Sequence, residues 1–216
     1  MDIKKLIKNL VNDHLYGNTL WLIANSITIT GLGFFFWAIN TKLFSSEQIG
    51  LASTLLASAG LLVSLSLLGF DISLIRYLPS FKRKNEMINS CFSLAGILAC
   101  IISLIFVLKI DIFLPKLIFL KYNILGISFV IFVVFNLFFV LIASVFVALR
   151  KAKFVFIKDL VFSISKLIFP FILVSLGAYG IFSSWMLAVI IAFIVSLFFL
   201  KYKLKFEIHK KIIKRM

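Results

Sequence analysis

Residues 122–149 read YNILGISFVIFVVFNLFFVLIASVFVAL, a run of 28 residues without one charged side chain. Such a run predicts a membrane-spanning helix, because about 20 apolar residues cross a bilayer core and a charge at its centre costs roughly 2.5–3.5 kcal/mol. The whole chain of 216 residues is 62% hydrophobic and 14% charged, unlike a soluble domain. We therefore expect an all-α, polytopic transmembrane helical bundle.

Charge-free runs of similar length lie on both sides of this stretch, and together they predict six spans. The predicted spans cover residues 18–40, 49–77, 88–109, 124–149, 156–176 and 181–200. The last two belong to one apolar run that is too long for a single crossing, and the glycine-flanked sequence LGAYG at residues 176–180 divides it. We predict one six-helix transmembrane lobe over residues 18–200.

Two basic segments flank this lobe. In residues 1–17, apolar side chains recur at helical spacing with lysines on the other side, which indicates an amphipathic helix on the cytoplasmic membrane surface. A solvated tail that only fixes the topology is the alternative. The apolar run that follows is too long for a cleavable signal peptide. Residues 201–216 are expected to form a basic cytoplasmic tail.

The basic residues are distributed unevenly between the two sides of the predicted lobe. An even number of spans puts both termini on one side, where 18 of the 23 Lys and Arg residues fall, with Lys158 counted in the fourth loop. The positive-inside rule then predicts cytoplasmic termini in a multi-pass protein of the cell (cytoplasmic) membrane. The net charge of +15 therefore reflects topology, and we expect no nucleic-acid partner.

One basic residue does not follow this rule, because Lys166 falls at the midpoint of the fifth predicted span. A charge at that depth usually faces a bundle interior or a water-filled pathway. Helical spacing places Lys166 on one face with Asp159, Ser163 and Pro170. We interpret Lys166 as a cavity residue that contacts an anion. Pairing with a buried acid or with carbonyl groups, or a span that sits off-centre, is the alternative.

Other polar residues of the spans extend this interpretation. We expect Asn25 on the first span, Asn136 on the fourth and Ser163 on the fifth to line the same substrate cavity. For the two asparagines, an interhelical hydrogen bond is an equally good explanation.

Four charged residues fall near the cytoplasmic ends of the second, fourth and fifth spans: Asp71, Arg76, Arg150 and Asp159. We hypothesise that they form a charge cluster that acts as a gate or contacts an anionic headgroup. The alternative is that each is an independent interfacial anchor.

No catalytic or metal-binding motif is recognisable in the sequence. It contains no H-E-x-x-H, G-x-S-x-G, P-loop or G-x-G-x-x-G pattern, and both histidines lie outside the predicted spans. Cys91 and Cys100 lie in one span, about 13.5 Å apart along a helix axis, which is too far for a disulfide. We therefore expect no enzymatic activity, no cofactor and no metal site.

Two stretches carry a family resemblance. Residues 34–79 read FFFWAINTKLFSSEQIGLASTLLASAGLLVSLSLLGFDISLIRYLP, and residues 147–167 read VALRKAKFVFIKDLVFSISKL. They resemble the first two helices, and the fourth loop with the fifth helix, of polysaccharide and oligosaccharide-lipid flippases in the multidrug/oligosaccharidyl-lipid/polysaccharide (MOP) exporter superfamily. The resemblance covers most of the chain and is to the N-terminal six-helix lobe.

The resemblance implies translocation of an anionic lipid-linked glycan by alternating access, without chemistry on the substrate. The flippases that this chain resembles are larger proteins built from two six-helix lobes. The resemblance therefore implies a second lobe or a homodimer as a partner, in addition to the lipid bilayer. Residues 201–216 then correspond to the start of an inter-lobe linker. A drug or metabolite efflux lobe, and a non-transporting subunit or scaffold of a glycan-assembly complex, are the competing functions.

Overall fold

The computed structural model describes residues 14–114, 117, 120–121, 124–200 and 204–205. Within these residues the chain is helical and contains no strand. Its α-helices are α1 (His14–Leu43), α2 (Ser46–Leu67), α3 (Phe70–Tyr77), α4 (Lys84–Leu108), α5 (Ile110–Phe113), α6 (Ile124–Ala148), α7 (Ala152–Ile172) and α8 (Ala178–Phe199). The predicted interfacial helix and the basic tail lie almost wholly outside the described residues.

The six predicted spans correspond to α1, to α2 followed by α3, and to α4, α6, α7 and α8, which confirms the all-α transmembrane fold. Among the described helices, α1, α2, α4, α6 and α8 are each long and apolar enough to cross a membrane. α7 has 21 residues, enough for one crossing, but carries Lys158, Asp159 and Lys166 in its interior. We treat it as the fifth span, and its charges are what distinguish it from the others.

The second predicted span is broken rather than continuous. α2 ends at Leu67, and Leu68 and Gly69 both adopt left-handed conformations, with φ of 43° and 81°. Glycine reaches this region without steric cost and allows the chain to leave the helix. The prediction of one helix over residues 49–77 is therefore wrong at this point. The separate short helix α3 begins at Phe70 and packs against α6.

The predicted turn between the fifth and sixth spans is confirmed. α7 ends at Ile172, and a 3₁₀ turn over Val174–Leu176 leads to Gly177, which has φ 57° and ψ −135°. Residues with a side chain rarely adopt this conformation, and a Cβ on Gly177 would lie 2.8 Å from the side-chain Nε2 of Gln48. The turn therefore requires glycine and sets the start of α8.

The main hydrophobic core lies where α2, α4, α6 and α8 pack together. α1 stands at the edge of the bundle. In its apolar stretch of 18 residues, 11% of the residues are buried, against 50% in the corresponding stretches of α4 and α8. α1 packs chiefly along α7, which packs in turn against α8. The polar residues of α7 therefore lie at the junction between the peripheral helix and the rest of the bundle.

Candidate functional site

α1 and α7 pack side by side in the same direction, with polar contacts one heptad apart. Asn18 Oδ1 accepts a hydrogen bond of 3.0 Å from the backbone N–H of Ala152. Seven residues further along both helices, Asn25 Nδ2 donates a hydrogen bond of 2.8 Å to Asp159 Oδ2. Both bonds join residues 134 positions apart, so the two helices run parallel in constant register. A six-span topology requires this direction for the first and fifth spans, because three spans, an odd number, lie between them.

The Asp159 carboxylate links three helices. It accepts the hydrogen bond from Asn25 of α1, and its Oδ1 forms an ion pair with Nζ of Lys158. The same Nζ lies 3.2 Å from the ring centroid of Phe139 on α6. Lys158 is 1% exposed and Asp159 is 6% exposed. An unpaired charge at this depth costs several kcal/mol in lost hydration. The ion pair and the amide hydrogen bond offset that penalty for both residues.

Lys158 was not among the predicted site residues, and its assignment to the fourth loop is wrong. The loop between α6 and α7 is shorter than predicted, since α7 already begins at Ala152 and Lys158 falls in its second turn. A tight turn makes this possible, in which Lys151 N–H bonds to the carbonyl of Phe146. The available signal was the adjacent Lys-Asp pair, because neighbouring opposite charges within a helical segment can compensate each other when buried.

The ammonium of Lys166 lies two turns further along α7, surrounded by aromatic rings. Its Nζ is 5.5 Å from the ring centroid of Phe36 on α1, and 4.8 Å from those of Phe162 on α7 and Trp185 on α8. We call these three residues the aromatic cage. Gly33 lies beside it, and a Cβ there would be 4.0 Å from Nζ. Lys166 is 2% exposed, and among the described residues it forms neither an ion pair nor a hydrogen bond.

The α7 face predicted from helical spacing is buried along its length. Asp159, Ser163, Lys166 and Pro170 all lie in the interior. Ser163 is fully buried between the two charged residues, and its Oγ has no hydrogen-bond partner in the described part of the chain. Asn136, in contrast, is half-buried on α6 and makes no hydrogen bond to these residues. Of the predicted cavity residues, the structure therefore places Asn25, Ser163 and Lys166 along one helix contact.

The interior of the lobe carries a net positive charge. Away from the end turns of α1, α2, α4, α6, α7 and α8, the charged residues are Lys158, Asp159 and Lys166, so one ammonium has no carboxylate partner. A cation–π contact contributes about 0.5–2 kcal/mol and offers no acceptor to the ammonium N–H groups, whereas burying the charge costs several kcal/mol. An anion with oxygen acceptors would satisfy these donors. Within the described ranges, no three His, Cys, Asp or Glu side chains are grouped as metal ligands.

The structure does not bring together the four residues of the hypothesised charge cluster. Asp159 is engaged in the buried ion pair described above. Asp71 lies in the first turn of α3, and the exposed Arg76 places its Cζ 5.3 Å from the ring centroid of Tyr77. Arg150 is exposed in the turn between α6 and α7, with φ 55°. No ion pair joins Asp71, Arg76 or Arg150 to another described residue.

Comparison with known proteins identifies the family. A sequence profile of the family described as polysaccharide biosynthesis protein matches residues 15–216, a range that contains the Lys158–Asp159 pair and Lys166. No curated protein and no solved structure matches the chain. The profile match confirms the family resemblance indicated by residues 34–79 and 147–167. This multi-pass membrane protein therefore belongs to the polysaccharide biosynthesis protein family.

Proposed function

We propose that the protein translocates an anionic lipid-linked oligosaccharide across the cytoplasmic membrane by alternating access. Family membership supports a role in polysaccharide biosynthesis at a membrane. The resemblance to oligosaccharide-lipid flippases supports a substrate in which a diphosphate joins the glycan to its lipid. The protein moves the substrate without making or breaking a covalent bond in it.

The observation that carries the proposal is the buried Lys166 ammonium, which has aromatic neighbours but no oxygen acceptor among the described residues. Phosphate oxygens accept short, charge-assisted hydrogen bonds from ammonium groups. Phe36 of the aromatic cage belongs to α1, the least buried span. We propose that movement of α1 away from α7 opens the cage and lets the diphosphate reach Lys166.

We assign both chain termini, and with them Arg76 and Arg150, to the cytoplasmic side. The positive-inside asymmetry supports this orientation even when Lys158 is removed from the count. Both arginines are exposed, at the end of α3 and between α6 and α7. We propose that they make the first contacts with the diphosphate headgroup before it enters the lobe.

Vesicles from cells that express the protein test the proposed function, because any partner lobe is then present. A fluorescent oligosaccharide on a lipid diphosphate is placed in one leaflet, and its loss from that leaflet is followed by an impermeant quencher. We expect faster movement than in vesicles from cells without the protein, and no acceleration for the same glycan on an uncharged lipid. Equal rates with and without the protein would contradict the function, and equal acceleration of both lipids would contradict the role of the anion.

The variant Arg150→Gly tests the first contact without disturbing the turn. Arg150 occupies a left-handed position after the end of α6, where glycine is the preferred residue, so we expect the variant to be at least as stable as the wild type. Loss of one exposed charged contact should slow translocation several-fold, and less so at high salt. The rate in the vesicle assay and the unfolding midpoint are the two measurements. An unchanged rate at low salt would exclude Arg150 from substrate capture.

A further inference from the structure

We infer that Lys158 is a positioning residue that occupies Asp159 and thereby leaves the Lys166 ammonium free for the substrate anion. The inference rests on the function proposed above. It gives the two buried lysines different roles, because Lys158 neutralises Asp159 while Lys166 binds the substrate. One carboxylate lies near both of them, and the structure pairs it with Lys158.

Two buried lysines share the helix of Asp159: Lys158, which is adjacent in sequence, and Lys166, two turns further along. Its Oδ1 is taken by Lys158 and its Oδ2 by Asn25. The Cα of Lys166 lies about 10.5 Å from that of Asp159 along the helix axis, toward the C-terminus. Because side chains on an α-helix lean toward its N-terminus, the Lys166 side chain leans toward Asp159. Opposite charges attract each other across such a gap in a protein interior, because little water is present to screen them.

A small side chain lies between the two charges on this face of α7. Ser163 lies there on the same face, fully buried, with an Oγ that has no partner in the described residues. The neighbouring helices bring no competing charge, because residues 16–41 of α1 and all of α6 and α8 lack charged side chains. Lys158 is therefore the group that decides which lysine pairs with Asp159.

If the Lys158 ammonium were removed, Asp159 would form its ion pair with Lys166 instead. A buried carboxylate without a cation is strongly unfavourable, and an ion pair satisfies an ammonium better than aromatic rings do. Lys166 would then leave the aromatic cage, and the interior would be neutral. Such a protein retains its fold and Lys166 itself, but loses its affinity for an anion.

The test compares four variants in two measurements: the unfolding midpoint of the purified protein and its binding of a fluorescent polyprenyl diphosphate. We expect Lys158→Met to keep a near-normal midpoint but to lose at least tenfold in binding. Adding Asp159→Asn to Lys158→Met should restore binding, because Lys166 is released. Lys158→Met combined with Lys166→Met should lower the midpoint by about 10 °C, because no cation remains for Asp159. Lys42→Met, which removes an exposed lysine at the end of α1, is the control without effect in either measurement.

Two results would overturn the inference. One is a loss of stability in Lys158→Met as large as in the double lysine variant, which would show that Lys166 does not replace Lys158. The other is unchanged binding in Lys158→Met. Failure of the wild type to bind the diphosphate would instead contradict the proposed function, while the midpoints would still report whether Asp159 can change partners.

Discussion

Lys166→Met is expected to reduce translocation of the lipid-linked diphosphate by about tenfold or more while the lobe stays folded. A hydrogen bond to a charged group contributes about 1.5–3 kcal/mol, which corresponds to roughly 10–100-fold in rate or affinity. Methionine has a similar length, is apolar and packs well against aromatic rings, so the aromatic cage remains filled. Removing a buried ammonium that lacks a carboxylate partner should leave the unfolding midpoint unchanged or raise it.

Two measurements on the same vesicle preparation check this expectation: the rate in the quenching assay and the thermal unfolding midpoint. Lys42→Met is the matched control, since it removes the same charge from an exposed position at the end of α1. A wild-type rate in Lys166→Met would remove Lys166 from the mechanism. It would favour instead a scaffold or assembly role in which the buried charge serves only packing.

Asp159→Asn is expected to lower the free energy of unfolding by about 3–5 kcal/mol, a larger loss than that of Lys158→Met or Lys166→Met. The carboxylate compensates Lys158, and its removal leaves two buried ammonium groups without an anion. Asparagine preserves the volume and a hydrogen-bonding partner for Asn25, so the loss reports the charge rather than a cavity. A denaturant titration in detergent micelles measures the free energy of unfolding.

Asp111→Asn provides the matched control, because the same substitution then breaks a solvent-exposed pair. Asp111 Oδ2 lies 3.2 Å from Lys121 Nζ, with 43% of the aspartate side chain exposed. The hydrogen bond from Lys121 lowers the pKa of Asp111, but water screens both charges, so little change in stability follows from removing it. Equal losses of stability in the two variants would mean that Asp159 is hydrated and that its ion pair with Lys158 contributes no more to the free energy of unfolding than a surface pair does. Recovery of stability when Lys158→Met is added to Asp159→Asn would confirm that Lys158 is the unpaired charge.

The number of spans and the turn at Gly177 could be predicted from sequence because both depend on local properties. Apolar length and the absence of charge identify a span, and glycine identifies a position that other residues avoid. The break at Leu68 and Gly69 also has a local signal in Gly69, but the continuous apolar run on both sides favoured one unbroken helix. Helix existence is thus easier to predict than helix continuity.

The surroundings of Lys166 could not be predicted in the same way. Its depth follows from its position in the span, but Phe36 and Trp185 belong to other helices, and only the packing of α1 and α8 against α7 brings their rings to the ammonium. Asn18 and Asn25 are seven residues apart and therefore share one face of α1, but only the packing of the helices shows that this face meets α7. Lys158 falls only two residues inside the predicted start of the fifth span, where a lysine can still extend to the membrane surface, so the sequence favours the fourth loop. The actual start of α7 at Ala152 places Lys158 in the second turn of the helix.

Contact between the Lys166 ammonium and the substrate diphosphate can be measured directly by solid-state NMR. Protein with ¹⁵N-labelled lysine is reconstituted in lipid with a bound polyprenyl diphosphate, and dipolar dephasing from ³¹P is recorded for each Nζ signal, with Lys166→Met used for assignment. We predict strong dephasing of the Lys166 signal, corresponding to an N–P separation of about 3–4 Å as in a charge-assisted hydrogen bond, and none for Lys158. A Lys166 signal unaffected by bound diphosphate, in a sample where another lysine is dephased, would contradict the central role of Lys166.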